Sequence, residues 1–92
     1  MTTVTMIKEL PDTGVSSQCL VKKDGKYYVV STSRLARETL VFNSDADGIV
    51  TDFAEIRGVG GRFMTRAQTI EDLAGISNSI TLATIEHGRK FR

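Results

Sequence analysis

The chain has one cysteine, one proline and no tryptophan in 92 residues. A single cysteine excludes an internal disulfide. With no apolar signal segment behind Met1-Thr2-Thr3, it points to a reducing cytoplasm. No apolar run exceeds four residues, far short of the ~20 that span a bilayer, so no membrane partner is expected. There is no excess of either charge: 12 Lys and Arg face 11 Asp and Glu, a net charge of +1. A field that weak does not by itself recruit nucleic acid or an anionic surface. The single histidine, His87, sits between Glu86 and Gly88 with no Cys or Asp at ligand spacing. No Ser-His-Asp set, catalytic carboxylate pair or Cys-His couple assembles. The expectation is therefore no catalytic residue, no metal and no cofactor.

What remains is an ordinary soluble composition, 40% apolar and 25% charged. A chain of this length buries somewhat over ~60% of its unfolded surface, enough for one core, so residues 1–92 are read as one domain. Residues 3–10 are rich in Thr, Val and Ile and make a first strand. Pro11, Asp12 and Gly14 supply a turn, and residues 15–21 a second strand in which Cys19 is a small buried residue. Asp24-Gly25 suits a mirror-image hairpin turn. Residues 27–32 (YYVVST) are the most strand-like segment, with Tyr27 and Tyr28 in packing roles. Residues 33–38 interrupt with polar side chains, as one helical turn, and residues 39–42 resume the sheet.

A helix is predicted from Thr65, which with Gln68 forms a capping box. Ala67, Ile70, Leu73 and Ala74 make its apolar stripe, and Gly75 ends it in the left-handed conformation. Residues 79–86 (SITLATIE) read as a last strand or an extended arm within 77–92, and residues 88–92 as a basic tail. The fold class is α+β: an antiparallel β-meander of four to six strands with one short α-helix packed on one face.

Three features are candidates for function. The run 43–55, NSDADGIVTDFAE, opens like an EF-hand loop, with Asn43, Asp45, Asp47, Gly48 and Val50 in register. The twelfth position, where a bidentate carboxylate belongs, is Ala54, and Glu55 comes one residue late. The run is therefore a hairpin turn whose Asp side chains bond nearby amides. The second feature is the glycine loop 58–62, with Gly60 and Gly61 flanked by Arg57, Arg62 and Arg66 just before the helix. Flexible amides beside guanidinium groups can grip a phosphate or a partner's carboxylates, though neither phosphate-loop nor dinucleotide spacing is met. The third is the set of basic elements, Lys22, Lys23 and Lys26 on a hairpin tip and Arg89, Lys90 and Arg92 around Phe91. Basic residues interleaved with aromatics can hold nucleic acid.

The stretch 38–74 resembles small accessory proteins encoded by phages of actinobacteria. The shared rhythm is a strand ending in Val41-Phe42, then Asp45 to Gly48, Val50-Thr51-Asp52, the pair Gly60-Gly61 and a helix over Thr65 to Leu73. Phe53 stands where the pattern has Trp, and the arm after Gly75 is longer. The resemblance implies a phage accessory protein and carries over no functional residue.

Together these features predict a non-enzymatic module that binds a host macromolecule, a host protein first. The residues expected to act are Arg57, Gly60, Gly61, Arg62 and Arg66, with Ile80, Leu82 and Ile85 of the arm. The alternative is a small nucleotide or nucleic-acid binder using the glycine loop and basic tail. A third expectation is a homo-oligomer formed through a β-edge or the C-terminal arm.

Overall fold

Alternation of β-branched and polar residues sets the sheet. In a computed structural model, which describes residues 3–56 and 58–75, five strands run as an antiparallel meander: β1 (Val4–Glu9), β2 (Ser16–Lys23), β3 (Lys26–Ser33), β4 (Glu38–Ser44) and β5 (Val50–Glu55). A two-residue strand, β6 (Gly61–Arg62), also pairs with β4. The outer edge of β4 is thus shared, with Phe42 to Ser44 facing β5 and Glu38 and Thr39 facing β6. The eight-residue helix α1 (Arg66–Leu73) lies on one face. The described architecture is a six-stranded antiparallel sheet with one short helix, mostly β and broadly α+β. The expected arm, with Ile80, Leu82 and Ile85, and Arg57 lie outside the described residues.

The predicted turns form for local reasons. Lys23 pairs with Lys26, leaving Asp24 and Gly25 as a two-residue loop at φ +52° and +78°, the mirror-image turn that matches strand twist. In the acidic run, Asp45 Oδ1 accepts from the amides of Asp47 and Ile49, both at 2.9 Å. Its carbonyl accepts from Gly48 N. The carboxylate caps a turn, as Ala54 at the twelfth position implied. Residues 34–37 make a four-residue turn rather than a helical one, because Arg37 takes φ +52° and returns the chain into β4.

Register puts Cys19, Val30 and Val41 side by side across β2, β3 and β4. Ile70 and Leu73 of α1 cover them, and all five are buried. Burying an Ile or Leu side chain contributes about 1.5–3 kcal/mol, so these two contacts dominate helix docking. The opposite face is also buried at its centre, through Leu20 and Val29. Leu10, just past β1, lies against Gly48 of the β4–β5 turn. The sheet therefore bends enough for its outermost strands to approach each other.

The helix ends are satisfied as the sequence predicts. Thr65 Oγ1 accepts from Gln68 N at 3.1 Å while Gln68 Oε1 accepts from Thr65 N at 2.9 Å, the reciprocal capping box. At the other end Lys23 Nζ donates to Leu73 O, placing a cation at the negative end of the helix dipole. Gly75, at φ +78°, closes the helix through its amide to Asp72 O.

Candidate functional site

The glycine loop is the first place to look, and its groups are already engaged. Gly60 N donates to Asp72 Oδ2 at 3.2 Å. A β-carbon built on Gly60 would come within 2.2 Å of the Thr39 carbonyl oxygen. The residue must be glycine, both for φ +77° and for this backbone approach. Gly61 pairs with Thr39 in β6, and its carbonyl accepts from Met64 N. Thr39 Oγ1 donates to Met64 O at 2.7 Å and lies 3.0 Å from Thr32 Oγ1. What resembled a flexible cradle is a clamp between β4 and α1, and the carboxylate at the Gly60 amide is the chain's own Asp72.

The flanking arginines separate. Arg66 turns toward β1 and β2, where it pairs with Glu9 and donates to Ser17 Oγ, and its side chain is only 15% exposed. Arg62 stands on β6 beside β4, exposed, its guanidinium 5.6 Å from the centre of the Phe63 ring. That is cation–π range. The sheet width thus divides Arg62 from Arg66, and the residue that joins Arg62 is Arg37, which the sequence reading did not single out.

Three connections meet at this end of the sheet. The β1–β2 loop is built on Asp12, whose Oδ1 accepts from Gly14 N at 2.7 Å. Thr13 exchanges hydrogen bonds with Ser16. Arg34, in the β3–β4 turn, grips Asp12 with both guanidinium nitrogens at 2.9 and 3.1 Å and donates to Gly14 O at 2.8 Å. Its amide reaches Val15 O. This bidentate pair lowers the carboxyl of Asp12 from its ordinary range, the Arg34 hydrogen bond being the main cause and Gly14 N the next. The link from β6 to α1 joins through Phe63, whose amide donates to the Arg37 carbonyl.

The pinned loops display apolar side chains. Leu35 is 81% exposed, Phe63 70%, and Val15 about half. Among the described residues neither Arg37 nor Arg62 closes an ion pair, although Glu38 stands opposite Arg62 in the register. Both Arg37 and Phe63 hold left-handed backbones, φ +52° and +66°. For a bulky side chain that is an outlier costing roughly 1–3 kcal/mol. Exposed aromatics and arginines are residue types enriched at protein interfaces.

Other candidates resolve into structural roles. Lys23 holds the helix end, and Lys22 Nζ lies 5.4 Å from the Tyr27 ring centre. Cys19 is fully buried, and desolvation pushes its thiol up to about 11. Both sheet edges are irregular: β1 slips register between Met6 and Lys8, and β5 slips twice. Bulges of this kind discourage strand addition. Among the described residues no helix is long and apolar enough to cross a membrane. Compared with known proteins, the chain matches no family model, no curated protein and no solved structure.

The loop end escaped the sequence reading because its members lie 20 or more residues apart, as Arg34 does from Gly14 and Asp12. Its one local signal was Phe63, a large aromatic directly after Gly60-Gly61-Arg62 and two residues before a helix cap. Glycine-rich turns rarely need such a side chain for packing.

Proposed function

We propose that this protein is a binding module that engages another protein through the loop end of its sheet, with Leu35 and Phe63 as apolar anchors and Arg37 and Arg62 as charged flanks. The observation that carries the reading is Phe63: a large ring held outward on a left-handed backbone that glycine would adopt without strain. The resemblance over 38–74 supplies the setting, a phage-encoded accessory protein acting on a host macromolecule in the host cytoplasm. The reading uses no catalytic group and no cofactor.

Nucleotide or nucleic-acid binding through the glycine loop and basic tail draws less support from the described residues, outside which the tail 88–92 lies. Phosphate contacts need several uncommitted cations, whereas Lys23, Arg34 and Arg66 are each held by the fold. Glu38 and Asp12 also stand among the exposed arginines, and the apolar trio contributes nothing to a phosphate backbone.

Comparative capture from host lysate tests the proposal. Wild type and Lys26→Ala, which alters an exposed residue at the far hairpin, are expected to retain the same protein, and Phe63→Gly and Leu35→Ser to lose it. Equal recovery by all four baits overturns the loop end as the site. Release of the captured material by nuclease favours the nucleic-acid reading instead.

A further inference from the structure

The loop end has a counterpart on the same molecule. Between Arg37 and Arg57 the chain has no Lys or Arg, while Asp45, Asp47, Asp52 and Glu55 gather on the β4–β5 hairpin and all four are exposed. Two large apolar side chains stand among them, Ile49 and Phe53, the latter 82% exposed. The β5 backbone that carries Phe53 is set by Asp52, whose Oδ1 accepts from Ala54 N at 2.9 Å. One surface is apolar with arginines, the other apolar with carboxylates. They complement each other in charge and in hydrophobic content.

Within one chain the topology spaces the loop-end arginines from the acidic turn along β4. The turn 34–37 precedes β4 and the turn 45–49 follows it, and β4 has seven residues. At about 3.3 Å per residue the acidic turn stands roughly 20 Å along β4 from Arg37, while Glu55, opposite Phe42, stands about four residues of the same strand from Arg62, opposite Glu38. A second molecule placed end-on satisfies both.

We propose that copies of this chain associate head to tail, the arginine-flanked loop end of one seating the acidic hairpin 45–55 of the next. The contact is heterologous, so it propagates beyond a dimer unless the rotation closes a ring. It rests on the reading of the loop end as a docking surface and names one occupant for it, a second copy. Exposed opposite charges supply part of the attraction, so salt weakens the association. Arg37 and Arg62 reach carboxylates bidentately, as Arg34 does with Asp12 within the chain.

The test is sedimentation of the full chain at rising concentration in low salt, with two charge-reversed variants. Arg37→Glu with Arg62→Glu removes the loop-end surface, and Asp47→Lys with Glu55→Lys removes the hairpin surface. None of these four side chains has an ion pair within the described fold, so both variants are expected to melt like the wild type. Wild type is expected to grow in mass with concentration and to disperse in 0.5 M salt. Each variant alone is expected to be a monomer. An equimolar mixture brings the intact loop end of one variant to the intact hairpin of the other and is expected to restore association, and a mixture that stays monomeric overturns the proposal. A wild type that stays monomeric at every concentration overturns the proposal, and so does association that survives in Arg37→Glu with Arg62→Glu. If wild type is monomeric while Phe63→Gly still loses a captured host protein, self-association fails and the docking reading stands. If both fail, the loop end is not a docking surface.

Discussion

Gly60 and Phe63 lie three residues apart, on either side of β6, and both have left-handed backbones, φ +77° and +66°. At Gly60 the sequence uses the residue the geometry demands, because any side chain would strike the Thr39 carbonyl. At Phe63 it keeps a bulky ring where glycine would be free of strain, and leaves most of that ring in water. The first position is set by packing between β4 and α1. The second costs stability and gains little inside the fold beyond the exposed Arg62 contact, which is the pattern expected where a side chain is kept for a partner.

The largest expected effect is at the packed position. Gly60→Ala places a methyl group 2.2 Å from a backbone oxygen on a backbone that L residues avoid. A loss of about 3 kcal/mol or more is expected, read as a fall in Tm of roughly 12 °C or more for a domain of this size. A normal melt would show that the clamp yields and would remove the contrast with Phe63. Next is Thr39→Val, which keeps the shape but leaves Met64 O without its donor. The cost expected is about 1–3 kcal/mol, measurable by urea denaturation.

The covered face gives an alkaline signature. Burial raises the Cys19 thiol from 9.0 to about 11, so the folded state favours the neutral form. Its contribution is complete below pH 9 and is lost as pH rises toward 11, on the order of 2 kcal/mol. A thiol reagent at neutral pH should label Cys19 only as fast as the chain unfolds; prompt labelling would contradict the burial. The smallest effect belongs to the loop end. The Asp12 carboxyl lies below its ordinary 3.8 because of Arg34, so its contribution is present above that value and fades as pH falls below it. For so exposed a pair the change is small. It should disappear in Asp12→Asn when acid titrations of melting are compared.

Much of the fold was legible because its causes are local. The Thr65 and Gln68 capping box, the Asp24-Gly25 turn and the stripe Ala67, Ile70, Leu73 and Ala74 each depend on neighbours within a few residues, and all appear. Ala54 likewise marked the acidic run as a turn, and Asp45 caps it. The site was less legible, because side-chain commitment is a long-range property. Arg66 pairs with residues 57 and 49 positions away, Glu9 and Ser17. The Gly60 amide meets Asp72 only once α1 has docked. Spacing placed Arg62 and Arg66 in one group; the fold sends them to different strands and brings the Arg37 backbone to Phe63 instead.

The most direct measurement is the thermal melt of Phe63→Gly. Strain relief and the loss of a mostly solvated ring nearly offset each other, so Tm is expected within about 3 °C of wild type or above it. A drop of about 8 °C or more, equivalent to at least 1 kcal/mol, would show that Phe63 is there to hold the fold and would contradict its display for a partner.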